Sequence, residues 1–236
     1  MQSMAIVLAG GSGRRMGLSK PKQYEELNGK PLVCYCLQTF EDSFINGVIL
    51  VCRPGDEEYC KNEIVEKYSY KKIVKIVPGG KERFDSVYEG LKAAGECDYV
   101  FIHDGARPFV SQHVLERCLH YAAKYKAAAA AVRAKDTIKI EDGDGFIDQS
   151  PDREMTWQMQ TPQVFDYRMI LSCYEKLKKD EKRLEEAGVR ITDDTMVAKM
   201  FAGVDAKLVE SEYENIKITT PGDMYIAEAL IRMRGK

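Results

Sequence analysis

Four short apolar runs separated by helix-like stretches constrain this chain more than any other feature. The runs are A-I-V-L-A at 5–9, V-I-L-V-C at 48–52, I-V-K-I-V at 73–77 and Y-V-F-I-H at 99–103. Each has the length and bounding turn residues of a buried strand. Between them, residues 32–40, 57–68 and 84–94 carry apolar side chains at helical spacing. Strands alternating with helices in units of roughly thirty residues are βαβ crossovers, which build a mostly parallel sheet flanked by helices on both faces. The expected class is α/β. In such a sheet ligands bind beyond the carboxyl ends of the strands, near the point where strand order reverses, so the loops that follow strands are where chemistry is sought.

After residue 135 the pattern changes. D-T-I-K-I-E at 136–141 alternates polar and apolar, D-G-D-G follows at 142–145, and F-I-D stands at 146–148. This reads as a β-hairpin with a D-G turn, too polar on both faces to be core, and so as an arm projecting over residues 136–158. Two helical stretches (167–179 and 193–201), a strand at 207–210 and a last helix from Pro221 to about residue 234 complete the chain. Pro221 suits a first helical turn, with Thr220 as its cap. There is no repeat and no linker, so residues 1–236 are expected to form one domain with an arm.

Composition narrows the function classes. Lys and Arg number 35 against 37 Asp and Glu, a net charge of −2, where a nucleic-acid binder carries a basic surplus. No apolar run nears the ~18 residues of a membrane span, and the N-terminus lacks the pattern of a signal peptide. The expectation is a cytoplasmic protein with neither nucleic acid nor membrane as partner. Seven cysteines without a C-x-x-C pair, and only three histidines, suit free thiols in a reducing environment rather than a disulfide scaffold or a multi-histidine metal site.

Chemistry concentrates in a few motifs. L-A-G-G-S-G-R-R-M-G at 8–17 runs into K-P-K-Q-Y at 20–24. Gly10, Gly11 and Gly13 let backbone amides close around an anion, and Arg14, Arg15, Lys20 and Lys22 add positive charge. The spacing matches neither the dinucleotide fingerprint nor the P-loop. A polyphosphate site is the functional reading; a tight turn beside a solvated basic face is the plain one. H-D-G-A-R-P-F at 103–109 puts Asp104 just past a buried strand, where a carboxylate needs a cationic partner. A Mg²⁺ ion carried by a nucleotide is one; Arg107 is the other. His103 reads as packing or support. G-G-K-E-R-F-D-S-V at 79–87 places glycines and Ser86 at a strand-to-helix turn, where a base edge can be read. T-D-D-T at 192–195 opens a helix with more polar residues than a cap needs. N-I-K-I-T-T-P at 215–221 brings Lys217 and Thr219.

Taken in order, A-G-G-S-G-R-R-M-G with P-K-Q-Y, G-G-K-E-R-x-D-S-V, H-D-G-A-R-P-F, K-D-T-I-K, Q-T-P-Q-V-F, T-D-D and N-I-K-I-T-T-P resemble the cytidylyltransferases that act on 2-C-methyl-D-erythritol 4-phosphate in non-mevalonate isoprenoid synthesis. The resemblance covers residues 4–231. It implies a Rossmann-like nucleotidyltransferase fold, a homodimer joined through the β-arm, CTP and a polyol phosphate as substrates, and Mg²⁺ as cofactor. It further implies that Arg15, Lys22 and Lys217 are catalytic, with Lys217 bridging the phosphates of both substrates. Ala9, Gly10, Gly11, Gly13, Gly80, Glu82, Arg83, Ser86, Asp104 and Gly105 would bind the nucleotide, with Asp104 also at the metal. Arg107, Thr137, Arg153, Thr161, Thr192 and Thr219 would serve the acceptor, Thr137 and Arg153 from the partner's arm. Lys81 stands where some relatives carry an acidic residue.

Such a reaction needs no catalytic triad. Its nucleophile is a phosphate oxygen already largely ionised, with a second pKa of ~6, so catalysis reduces to positioning and charge neutralisation. Two alternatives stay open: Leu8-Ala-Gly-Gly11 and the 215–221 motif also resemble ribitol-5-phosphate cytidylyltransferases of teichoic-acid synthesis, and a nucleotide-binding regulatory module without activity would share the fold.

Overall fold

A computed structural model of the 236-residue chain describes residues 1–11 and 21–234. Its centre is a seven-stranded sheet whose strands lie in the order Lys207–Glu210, Ala127–Arg133, Trp157–Asp166, Tyr99–Asp104, Ser3–Ala9, Gly47–Cys52 and Ile73–Pro78. The four expected runs are β1 (Ser3–Ala9), β4 (Gly47–Cys52), β5 (Ile73–Pro78) and β6 (Tyr99–Asp104). They pair in parallel, with β1 between β4 and β6. Strand β7 (Ala127–Arg133) and the edge strand β11 (Lys207–Glu210) run the same way. Only β10 (Trp157–Asp166) is reversed, antiparallel to both β6 and β7.

Period-two alternation along the strands feeds two cores. Ala5, Val7, Val48, Leu50 and Phe101 face one side, against α1 (Leu32–Glu41) and α4 (Gln112–Tyr125). Met4, Ile6, Ile49, Val51, Val100 and Ile102 face the other, against α3 (Arg83–Ala94), α5 (Tyr167–Glu186) and α6 (Asp194–Ala202). Both faces are thereby covered, as parallel strands require. The expected 57–68 helix is a short α2 (Glu57–Tyr59) that continues as a π-helical stretch at Cys60–Glu66. The last helix, α7 (Pro221–Arg234), docks through Ala227 on a small cluster of Leu27, Leu32, Phe109 and Ile218. No helix among the described residues is long and apolar enough to cross a membrane. All seven cysteines are free, six of them buried.

Two elements ahead of α1 frame the first loop. A single 3₁₀ turn covers Lys22–Tyr24, and β2 (Glu26–Leu27) returns through Asn28-Gly29 to β3 (Lys30–Pro31). Asn28 and Gly29 have φ of 51° and 74°, the left-handed pair that a two-residue hairpin turn requires.

Between β7 and β10 lies the arm. Its ladder is shorter than the alternation implies: only β8 (Ile140–Glu141) pairs with β9 (Ile147–Gln149). Residues 139–150 are all exposed, Phe146 at 72% and Ile147 at 66%. Trp157 at the start of β10 lies opposite Arg133 at the end of β7, so both feet of the arm stand at the end of the sheet where the parallel strands finish.

Candidate active site

From β1 the chain proceeds to β4 and β5 on one side of the sheet and then crosses to β6 on the other. The strand order therefore reverses between β1 and β6, and the loops beyond their carboxyl ends open a cleft there, as doubly wound sheets do. The cleft has a volume of about 790 Å³. Among the described residues, Lys22, Lys81, Arg83, Arg190 and Lys217 line it against two carboxylates, Glu82 and Asp104.

The floor is the close approach of β1 to the turn after β6. Gly105 N–H donates to the Leu8 carbonyl at 2.9 Å, and a Cβ on Gly105 would come within 2.9 Å of that oxygen. Gly105 thus supports the cleft instead of lining it. Gly10 and Gly11 line the entrance of the first loop. Gly13 and Arg15, expected at the triphosphate, lie outside the described residues. Beyond the loop, Gln23 donates through Nε2 to the Ala9 carbonyl, tying the 3₁₀ turn to the end of β1. Lys22 Nζ reaches the Ile218 carbonyl at 2.9 Å.

At the centre stands Asp104. Lys217 Nζ lies 2.6 Å from its Oδ2 and Arg83 Nε 3.3 Å from its Oδ1. Burial pushes the carboxyl pKa up, but Arg83 and Lys217 outweigh it and hold Asp104 well below the usual carboxylate range. Arg107, the alternative partner in sequence, forms no ion pair with Asp104, which pairs with Arg83 and Lys217. Arg83 is also held from behind, its Nη1 and Nη2 meeting both oxygens of Asp194 at 2.9 and 2.8 Å.

The loop before α3 is built from its own side chains. Gly80 N–H donates to Ser86 Oγ at 3.2 Å, and Glu82 N–H to Asp85 Oδ2 at 2.9 Å. The Glu82 carboxylate accepts from the Asp85 N–H, closing a reciprocal capping box on α3. A Cβ on Gly80 would sit 2.2 Å from that of Asp85, so only glycine lets this turn close. Gly80, Glu82 and Ser86 line the cleft as expected, although Glu82 and Ser86 spend hydrogen bonds on the helix start. At α7, Asp223 accepts from Thr219 N–H, Thr219 Oγ1 and Thr220 N–H at 2.8–2.9 Å. Burial raises the Asp223 pKa, and these donors more than reverse the effect. Thr219 lines the cleft, with its hydroxyl given to this cap.

Several expected acceptor residues lie elsewhere. Arg107 is buried and donates to the carbonyls of Asn215 at 2.8 Å and Met159 at 3.3 Å; it ties the β6 turn to the 215 segment and is absent from the cleft wall. Thr161 is buried too, its Oγ1 accepting the Asp104 N–H at 3.0 Å and lying 3.1 Å from His103 Nδ1. His103 Nε2 is 3.0 Å from the Arg107 carbonyl, which can only accept, so Nε2 carries the proton and Nδ1 takes the Thr161 hydroxyl. Burial lowers the His103 pKa to about 4, keeping the ring neutral in this role of support. Thr192 is exposed and its hydroxyl turns to Met196 Sδ at 3.7 Å; Arg190, two residues earlier, reaches the cleft wall instead. Thr137 and Arg153 are exposed on the arm, away from the cleft of their own chain.

The sequence reading missed Gln23, Lys81, Arg190, Asp194 and Tyr174. Lys81 and Arg190 stand inside or beside motifs singled out above, and Asp194 is the acidic residue left over once Asp193 caps α6 by accepting from Met196 N–H. Tyr174 gives no signal, since a tyrosine on an apolar helix face reads as core.

Comparison with known proteins agrees with this geometry. The profile of the family described as 2-C-methyl-D-erythritol 4-phosphate cytidylyltransferase matches residues 3–233. A protein of that name from Clostridium botulinum (strain Eklund 17B) is 47% identical over 96% of this chain and 98% of its own. Another from Lachnospira eligens is 45% identical over 97% of this chain and 98% of its own. The crystal structure of 4-diphosphocytidyl-2C-methyl-D-erythritol synthase from Anaerococcus prevotii superposes with a TM-score of 0.83 at 35% identity, covering 98% of both chains. The 2-C-methyl-D-erythritol 4-phosphate cytidylyltransferase of Thermus thermophilus gives 0.77 at 28%, over 98% of this chain and all of the other. With a Rossmann-like sheet, a cationic cleft at its switch point and this likeness over nearly its whole length, the chain belongs to the 2-C-methyl-D-erythritol 4-phosphate cytidylyltransferase family.

Proposed function

We infer that this chain transfers a cytidylyl group from CTP to 2-C-methyl-D-erythritol 4-phosphate, forming 4-diphosphocytidyl-2-C-methyl-D-erythritol and pyrophosphate. The observation that carries this reading is the full-length family match. The cleft chemistry supports it. Two polyanions must approach each other, and among the described residues the cations lining the cleft outnumber its carboxylates five to two. The acceptor phosphate is its own ionised nucleophile, so no side chain need take a proton from it. What remains is to hold it in line with the α-phosphorus and to offset charge as the pentavalent arrangement forms. In this reading Lys22 and Lys217 do so, and Gly10, Gly11, Gly80, Arg83 and Ser86, which line the same cleft, hold the nucleotide.

A divalent cation fits the donor set. Among the described residues no three acidic, histidine or cysteine side chains converge, so Asp104 would hold the ion singly and the nucleotide phosphates would supply the other oxygens, the mixture Mg²⁺ favours. When bound, such an ion offsets phosphate charge. Arg83 and Lys217 keep Asp104 ionised and ready for it.

The functional unit of this reading is a homodimer in which each arm reaches the other subunit's cleft. Phe146, Ile147 and Met155 stand 66–78% exposed on it, a hydrophobic exposure that a partner would cover. Thr137 and Arg153 on the same arm then serve the acceptor of the other subunit. The reaction is tested by pyrophosphate release from CTP and Mg²⁺ with each polyol phosphate. A kcat/KM for 2-C-methyl-D-erythritol 4-phosphate far above that for ribitol 5-phosphate is expected; the reverse order would reassign the acceptor, and no release with either would make the chain a binding module.

A further inference from the structure

A line of alternating polar groups runs from the body of the domain into the cleft: Tyr174 on α5, Asp194 on α6, Arg83 on α3, Asp104 on β6 and Lys217 before α7. Its inner end is not explained by binding. Asp194 is wholly buried, yet its Oδ1 accepts from Arg83 Nη1 at 2.9 Å and Tyr174 Oη at 2.5 Å, and its Oδ2 accepts from Arg83 Nη2 at 2.8 Å. Its own N–H donates to Gln163 Oε1 at 3.0 Å. Helix capping does not require it, because Asp193 performs that task. Nor does packing, since well-packed apolar residues of similar volume often stabilise as well as a buried ion pair.

We propose that Asp194 is a positioning residue for the cleft, fixing the Arg83 guanidinium in the one plane from which it meets both Asp104 and the nucleotide. This rests on the reading of Arg83 as a nucleotide contact. The two contacts of Arg83 are unequal. Its fork closes on Asp194 with two short bonds, whereas its Nε meets Asp104 Oδ1 at 3.3 Å. A bidentate guanidinium–carboxylate pair fixes orientation as well as distance, so Arg83 takes its place from Asp194 and offers only an edge to the site. Tyr174 fixes the carboxylate in turn, from a helix that packs on α3. Without the charge of Asp194, Arg83 has one carboxylate left to pair with, and Lys217 already occupies that carboxylate at 2.6 Å. The guanidinium then closes on Asp104 and leaves the nucleotide wall.

The test is CTP affinity by calorimetry without acceptor, beside KM and kcat. Asp194→Asn is expected to raise the Kd and KM for CTP about tenfold while a folded protein keeps kcat within a few-fold; a residue that only supports the fold would lower Tm and the active fraction at unchanged KM. Arg83→Lys, which cannot form the fork, should weaken CTP similarly, and adding Asp194→Asn to it should cost little more, because groups acting through one another are not additive. If Arg83→Lys leaves CTP binding unchanged, the nucleotide role of Arg83 is wrong. If Arg83→Lys weakens CTP but Asp194→Asn does not, or the two effects simply add, Asp194 does not act through Arg83 and the proposal is overturned. Should Asp194→Asn fail to fold, Tyr174→Phe keeps both charges and removes one donor; a two- to threefold weakening of CTP that vanishes beside Arg83→Lys supports the proposal, and unchanged affinity overturns it.

Discussion

At the scale of single residues, the site depends on groups whose charge is set by their neighbours. Lys22 reaches the Ile218 carbonyl and lines the cleft, where phosphate charge grows in the proposed reaction. Lys22→Ala is therefore expected to lower kcat by 10²–10³ with a far smaller change in KM for CTP, the pattern of a contact made mainly in the transition state; steady-state kinetics at varied CTP reads the split. His103 makes a separate, pH-dependent contribution. Its pKa falls from an ordinary 6.5 to about 4 on folding, so between these values the unfolded chain binds the extra proton. Stability is full above pH 6.5 and declines as pH drops towards 4, by about 3 kcal/mol over the interval. Asp104, held ionised to lower pH still, adds its own loss only below the ordinary carboxylate range. Urea unfolding at pH 7 and 4.5 should show the decline, and His103→Gln should flatten it whatever its effect on absolute stability.

At the scale of elements, helix starts and the site share residues. Asp223 accepts from three donors at the beginning of α7. Asp223→Ala leaves two backbone N–H groups and the Thr219 hydroxyl without that acceptor, an expected loss of about 1–2 kcal/mol, read as a lower Tm in thermal unfolding. Secondary structure was legible where hydrophobicity and period were both strong, as in β1, β4, β5, β6 and α3. It failed across the middle of the chain. Ala127 to Ala131 are wholly buried in β7, but small side chains carry little transfer free energy and no β-branching, so five alanines give no strand signal. The reversed β10 mixes Gln158, Gln160 and Gln163 with Val164 and Phe165 and shifts register between Met159 and Gln163, which breaks its period.

At the scale of the whole molecule, the resemblance carried the reading further than any single spacing could. The residues that converge from distant segments, Lys22, Gly80, Arg83, Asp104 and Lys217, all belong to motifs legible in the sequence. Those that miss the cleft wall, Arg107, Thr161 and Thr192, were indistinguishable from them in sequence, because a polar residue beside a motif looks the same whether it faces ligand or backbone. The proposed sharing of the site between two copies is tested by complementation. Mixing Arg153→Ala with Lys22→Ala subunits should restore activity well above either parent, since each heterodimer keeps one site with both residues; exchange of subunits without recovery would place Arg153 outside the partner's site. The reversal of β10 has a consequence of its own. Because it turns what would be a long crossover into a hairpin, the arm leaves and re-enters on adjacent strands, Arg133 opposite Trp157. No ladder bond of the central sheet depends on what lies between them. The arm is therefore a cassette, open to lengthening or exchange while the pairing of the central sheet stays untouched.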